Sequence, residues 1–236
     1  MPKEVLNGIV LRTVDYKESD RILSVFTKEQ GLITVSARGC RQGSKLAAVS
    51  TQFCYGELEI GVHAGRMQLS SGTVLESFYP IRESYEHLCA ASAVVRSAER
   101  MLTEGIANES LFILVYNTLS LLAYGENDPI DLELCYIAKL LRLGGYTPVL
   151  TTCVRCGKDL RQYASIRFAS SLGGCVCEDC GGHYTLVSAL SMEALRRMLI
   201  IDISDMKKVR LPEHVRNELK SLLIDYAGYV FDFEIK

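Results

Sequence analysis

Over residues 1–79 apolar and polar positions alternate in short runs broken by turn-forming residues, the period of strands rather than of helices. Residues 8–14, 21–27 and 31–37 are rich in Val, Ile, Leu and Thr and predict three strands. Between the second and third, Lys28-Glu29-Gln30-Gly31 reads as a tight hairpin. Residues 53–62 predict a fourth strand, with Leu58, Ile60 and Val62 on one face and Glu57 and Glu59 on the other. A fifth includes 67–70, with 73–78 as its continuation. Five short strands, with a longer connection over 38–52 after the third, predict a small Greek-key barrel of the OB type. An SH3-like barrel or a small sandwich would show the same pattern.

Pro80 marks a change of period. Beyond it Ile81, Tyr85, Leu88, Val95 and Leu102 recur at spacings of three, four and seven, the stripe of an amphipathic helix. Residues 111–124 predict a second helix, with Asn108 or Ser110 available as its cap. Residues 129–143 predict a third, apolar on nearly every side and therefore central to a helical body, with Gly144-Gly145 ending it. Helical patterning resumes at 191–200 and again beyond Pro212, where Val215, Leu219, Leu222, Tyr226, Val230 and Phe233 form one stripe. Gly228 weakens that last helix by about 1 kcal/mol relative to alanine. The expected fold class is α+β: a five-stranded OB-fold barrel at 1–79, a helical body at 80–150 and 184–236, and a cysteine-rich module at 151–183 inserted in that body.

Composition changes this picture little. At 236 residues, 48% apolar and 23% charged, the chain reads as globular. Its longest uncharged stretch, 110–125, falls short of the ~20 residues a bilayer span needs, and Asn117, Thr118 and Ser120 interrupt it. Glu4 and Asn7 near the start do not suit a signal peptide, so a cytoplasmic location is expected. The cysteines matter more. There are nine, an odd number that excludes complete pairing within one chain. Cys40, Cys54, Cys89 and Cys135 are scattered and read as small apolar packing groups. The other five lie between Cys153 and Cys180.

Cys153-x2-Cys156 and Cys177-x2-Cys180, twenty residues apart, have the spacing of a zinc ribbon or treble clef. Two intervening residues let a tight turn aim both sulfurs at one metal, and the returning chain completes a tetrahedron. Gly157 and Gly181, each following a pair, are expected to supply backbone freedom. Cys175 competes with Cys177 for the third position, His183 is an outside candidate, and five metal-free thiols are the bland alternative. Four thiolates fill zinc's shell and leave no place for an activated water, so the metal is expected to be structural. No phosphate-binding loop, dinucleotide fingerprint, nucleophile elbow or zinc-protease motif is present, and His63, His87, His183 and His214 fall in unrelated contexts. Glu18 and Asp20 form a carboxylate pair better suited to binding turn amides than to catalysis. No enzyme is expected.

A net charge of −2 does not suggest a polyanion partner; its distribution is more informative, with two basic stretches that suit either local attraction of phosphate or an ordinary solvated face. Between positions 28 and 45, Lys28, Arg38, Arg41 and Lys45 face a single acid, Glu29. Between 142 and 167, Arg142, Arg155, Lys158, Arg161 and Arg167 face Asp159 alone. An OB barrel binds single strands between its first and fourth loops. On that geometry Arg38, Arg41 and Lys45 are the leading DNA-binding candidates, followed by Lys17, Arg21 and Arg66, with Tyr16 placed to stack on a base. Arg21 and Tyr16 serve equally well as residues that finish the barrel.

The chain resembles the bacterial recombination mediator family RecO along most of its length. Ile9-Val10-Leu11-Arg12, Tyr16-Lys17-Glu18-Ser19-Asp20-Arg21, Phe26-Thr27 with Gly31, and Ala37-Arg38-Gly39-x-Arg41 are similar to that family's opening strands in order and spacing. Gly173-Gly174-x-x-Cys177-x-x-Cys180 is similar to its zinc segment. The resemblance implies binding of single- and double-stranded DNA, annealing of complementary strands, and partnership with RecR. It also implies contact with the C-terminal tail of single-strand-binding protein, help in loading RecA, and a nucleoid-associated location. Such a tail is acidic and ends in an apolar residue, so a helical groove over 81–143 with Arg142 on its rim is one expected dock. A zinc-containing protein adaptor without DNA affinity, or a zinc hydrolase, are the competing readings.

Overall fold

The computed structural model describes residues 3–42, 45–163, 165–233 and 235. They form two compact units, Met1–Tyr124 and Gly125–Lys236.

In the first unit, β1 (Lys3–Tyr16), β2 (Asp20–Thr27), β3 (Gly31–Ala37), β4 (Tyr55–His63) and β5 (Arg66–Glu76) close a barrel in the order β1-β2-β3-β5-β4. Closure depends on β1, which is longer than its alternating pattern suggests. Its first half pairs with β4, from Lys3↔Gly61 to Ile9↔Tyr55, and its second half with β2, as far as Tyr16↔Asp20. A register shift between Val10 and Arg12 bends the strand so that one chain serves both neighbours. The ring then shuts through a parallel contact of Ser36 with Gln68. Val10, Leu23, Val25, Val35, Leu58 and Leu69 fill the interior, and Cys40 and Cys54 pack among them as expected. Val62 departs from expectation at 50% exposed, because β4 has by then run past the core to the barrel rim. Cys89 departs too: it is exposed, on the solvent side of its helix.

The β2–β3 hairpin is fixed by Thr27. Its hydroxyl accepts from the Gln30 amide at 3.1 Å and donates to the Gly31 carbonyl at 2.9 Å. Gly31 sits at φ 67°, and an added Cβ would lie 1.9 Å from the Ile106 carbonyl oxygen. A 3-10 turn (Tyr79–Glu83) leads into α1 (Tyr85–Met101), capped by Ser84, and then α2 (Glu109–Tyr124). Asn108 caps α2, accepting from the Leu111 amide at 3.1 Å. These helices lie against the barrel wall: Phe112 meets Phe26 edge-on at 5.2 Å, and Arg12 pairs with Glu99 at 2.9 Å.

The second unit is built around α3 (Pro129–Leu143), whose buried residues include Leu132, Tyr136, Ile137 and Leu140, as its all-round apolar pattern implies. The cysteine segment carries a three-stranded sheet of β6 (Ser165–Ala169), β7 (Gly174–Val176) and β8 (Thr185–Ser188), in the order β7-β6-β8. The one-turn α4 (Glu178–Gly181) lies between β7 and β8. Two helices, α5 (Ala189–Ile200) and α6 (Glu213–Phe231), follow and pack on α3. Two ionic clamps tie the helices. Asp131, 1% exposed, accepts from Arg216 at 2.8 Å and from the Leu211 amide at 3.1 Å. Lys139 and Arg142 both donate to the Leu199 carbonyl near the end of α5, where a helix presents unpaired carbonyl groups. No described helix is long and apolar enough to cross a membrane.

Because Gly31 combines a left-handed backbone with a backbone oxygen where Cβ would stand, Gly31→Ala should destabilise the first unit by roughly 2–4 kcal/mol. A urea titration followed by circular dichroism reads that loss; an unchanged midpoint would show that α1–α2 connection to be freely displaced.

Candidate metal centre and nucleic-acid rim

The first cysteine pair sits on a knuckle. The Cys153 amide donates to the Lys158 carbonyl at 2.8 Å, and the Gly157 amide returns to the Cys153 carbonyl at 2.9 Å. Gly157 is at φ 75°, the conformation expected of it. The second pair lies on the turn of α4: Cys177 precedes it at the N-cap position, Cys180 lies within it, and the Cys180 amide donates to the Cys177 carbonyl at 3.1 Å. Gly181 acts differently from expectation. A Cβ there would meet Arg167 Cδ at 2.7 Å, so the position needs smallness for packing, not backbone freedom.

The two turns bring the sulfurs of Cys153, Cys156, Cys177 and Cys180 within 4.8 Å of one another. Tetrahedral zinc with Zn–S bonds of ~2.3 Å sets its ligand sulfurs ~3.8 Å apart; the Cys156 and Cys177 sulfurs are 3.7 Å apart. The electrostatics suit a dication. Burial opposes ionisation of Cys153, but backbone amides of Cys177, Cys156 and Arg155 outweigh it and bring that thiol down to about 6. Hydrogen bonding to the Cys177 and Cys156 sulfurs instead pushes Cys180 up to about 12. Four adjacent sulfurs therefore do not all ionise without a positive charge among them, and the cluster fits a divalent metal with high thiolate affinity. Cys175 stands outside it. Its thiol is fully buried on β7, 3.6 Å from the Met192 sulfur, and burial pushes it up to about 12. His183 is exposed, its ring 4.2 Å from that of Tyr184.

The DNA-binding candidates gather, for the most part, at one end of the barrel. Register pairs Asp15 with Arg21, Arg21 with Ala37, Ser36 with Gln68 and His63 with Arg66, so the end of β1, the start of β2, the end of β3 and the β4–β5 hairpin share a rim. The β1–β2 turn is only Lys17–Ser19, tighter than the gap between the strands expected over 8–14 and 21–27. Lys17 is left-handed at φ 55°, and its ammonium lies 5.3 Å from the Tyr16 ring centre. Asp20 behaves as a turn carboxylate, accepting from the Gly39 amide at 2.8 Å and the Ser19 hydroxyl at 3.0 Å. Those bonds, the Gly39 amide first, hold its carboxyl below the usual range.

The cations divide into two groups. Among the described residues Lys17, Arg38, Lys45 and Arg66 are exposed and carry no ion pair. Arg38 borders an open hollow with Lys3, His63, Gln68 and Ser70. Arg21 and Arg41 instead share Asp15, at 3.1 and 3.3 Å. Asp15 and the hollow left no mark in the sequence, since an acid in a strand and four dispersed polar residues carry no spacing signal. The second basic stretch is largely engaged. Arg161 pairs with Asp159 at 2.6 Å, Lys158 with Asp179 at 3.7 Å, and Arg155 and Arg167 donate to Tyr184.

A closed OB-type barrel followed by helices, with a four-cysteine cluster beyond them, defines the architectural class. The N-terminal domain of recombination protein O matches residues 1–78 and its C-terminal domain matches 82–231, so the chain belongs to the recombination protein O family. The DNA repair protein RecO of Desulforamulus reducens is 30% identical over 98% of this chain and 91% of its own length. The RecO proteins of Caldicellulosiruptor saccharolyticus and Halalkalibacterium halodurans are 30% and 31% identical, over 97% and 93% of this chain and 93% and 86% of their own lengths.

Protein purified without chelator should carry about one zinc per chain by elemental analysis, falling to near zero in Cys177→Ser and holding in Cys175→Ser. Metal retained by Cys177→Ser but lost from Cys175→Ser would reverse the ligand assignment.

Proposed function

We propose that this protein is a DNA-repair mediator that acts by binding rather than by catalysis. In this reading the barrel rim takes single- and double-stranded DNA and brings complementary strands together for annealing. The observation that carries it is the gathering of Lys17, Arg38 and Arg66, exposed and without an ion pair among the described residues, at the rim end of the barrel, with Tyr16 45% exposed beside Lys17 and the exposed Lys45 on the connection after β3. Cations so placed neutralise phosphates and release counterions, and an exposed aromatic stacks on a base regardless of sequence. Zinc held by Cys153, Cys156, Cys177 and Cys180 supports this activity indirectly, by fixing a segment whose own apolar core is small.

Family membership supports partnership with RecR, contact with single-strand-binding protein and, through these, assistance to RecA. For the tail of single-strand-binding protein, the second unit offers a groove between α5 and the start of α6, while the Arg142 guanidinium is held on the Leu199 carbonyl at 2.8 Å. Leu190, Met198, Ile201 and Val215 are among its apolar lining. Of its rim cations, Arg197 pairs with Glu193 at 3.0 Å and Lys208 with Asp205 at 2.6 Å, and Arg210 forms no ion pair among the described residues. The apolar end of such a tail fits the lining, with Arg210 as the cation that meets its acids. A labelled tail peptide should bind the wild type and lose about tenfold or more in affinity to a Met198→Glu, Arg210→Glu variant. Equal binding by both would move the dock elsewhere.

The rim is tested by anisotropy of a labelled single-stranded oligonucleotide at several salt concentrations. Replacing Arg38, Lys45 and Arg66 with Ala should weaken binding and flatten the slope of log K against log salt by about 2, at ~0.7 per phosphate contact on single strands. An unchanged slope would remove these residues from the DNA path. Absence of binding by the wild type even at low salt would favour a zinc-containing protein adaptor.

A further inference from the structure

Asp15 lies on β1 one residue before the exposed Tyr16, in register with Arg21. It spends its two oxygens on different cations. Oδ1 accepts from Arg21 Nε at 3.1 Å, and Oδ2 meets Arg41 Nη2 at 3.3 Å. Arg41 is fastened to the same turn by its backbone, whose amide donates to the Ser19 carbonyl at 3.0 Å, and by a 3.4 Å bond from Nη1 to the Lys17 carbonyl. The outcome is a pair of guanidiniums, from β2 and from the connection after β3, converging on one anionic group. A phosphodiester carries the same single charge and also offers two equivalent oxygens.

We propose that Asp15 is an internal occupant of a phosphate subsite formed by Arg21 and Arg41, and that a nucleic-acid phosphate exchanges with it on binding. The inference rests on the rim being the DNA-binding surface. Asp15 is suited to this role because its side chain is 55% exposed and is not locked in place by burial. Exposed ion pairs of this kind are individually weak, so a phosphate arriving with the rest of the strand displaces the carboxylate at small cost. While it is in place the carboxylate keeps both guanidiniums ordered and offsets one of their two charges. Bound strand held this way leaves readily, because Asp15 returns to the site.

Asp15→Asn removes the charge and keeps the shape. In the anisotropy titration it should bind single-stranded DNA about 3- to 10-fold more tightly at low salt, with a salt slope that changes by less than the ~0.7 of one phosphate contact, since the subsite phosphate is held in both proteins. Glu18→Gln, which removes another exposed acid from the same turn, is the control for the general field and should shift affinity by clearly less. In an Arg21→Ala, Arg41→Ala background, Asp15→Asn should lose its effect. Weaker or unchanged binding by Asp15→Asn, or an equal gain from Glu18→Gln, would overturn the proposal while the wild type still binds DNA. A wild type without salt-dependent binding would instead overturn the DNA-binding reading, and this proposal with it.

Discussion

Closure of the barrel depends on one bent strand. A straight β1 has two edges along its whole length, and a five-stranded sheet built on it would lie open. The shift between Val10 and Arg12 turns the strand so that residues 3–9 serve β4 while 8–16 serve β2. With both neighbours taken by β1, the remaining edges of β3 and β5 meet at Ser36 and Gln68. Everything proposed for the rim follows from that closure. Cations far apart in sequence, such as Lys17, Arg38 and Arg66, reach one end of the barrel because the strands that carry them end there.

Where a sequence signal was long and periodic, it was legible. The third helix appears over the residues its pattern marks, and Asn108 caps the second as its residue type suggests. The cysteine spacing likewise identified the four sulfurs that meet, because a two-residue gap is a geometric statement about a turn. Other features left no such trace. The strands β6, β7 and β8 are three to five residues long, too short for a period of two to stand out among turn residues. The exposure of Val62 was hidden because alternation gives the face of a strand but not the point where it leaves the core. Asp15 was missed for a related reason: whether an acid repels a neighbouring anion site or occupies it depends on where two distant arginines end up.

The second unit meets an electrostatic constraint of a different kind. Its cysteine segment places four sulfurs within 4.8 Å, and backbone amides favour the thiolate at Cys153 while neighbouring sulfurs hold Cys180 protonated. Such a cluster resists full ionisation by itself, which is the condition a bound divalent cation would relieve. Cys175, two residues before Cys177, stands outside the cluster because its thiol is buried on β7 against the Met192 sulfur, while Cys177 follows the strand at the entry to α4. A packing cysteine and a cluster cysteine thus lie two residues apart, one inside the strand and one beyond its end.

Charge balance also explains how a chain of net −2 can present a surface for a polyanion. Arg12 on the barrel wall is paired with Glu99, and Asp15 offsets one of the two charges of Arg21 and Arg41. Among the described rim residues the cations without an ion pair are Lys17, Arg38 and Lys45, on turns and connections, and Arg66, which opens β5 at its hairpin end. A partly neutralised rim of this sort has a short electrostatic reach at physiological salt, where the screening length is ~8 Å. It favours many weak, exchangeable phosphate contacts over a few strong ones. On the proposed annealing role, weak contacts at the rim are an advantage, since each strand can shift register without the whole interface releasing at once.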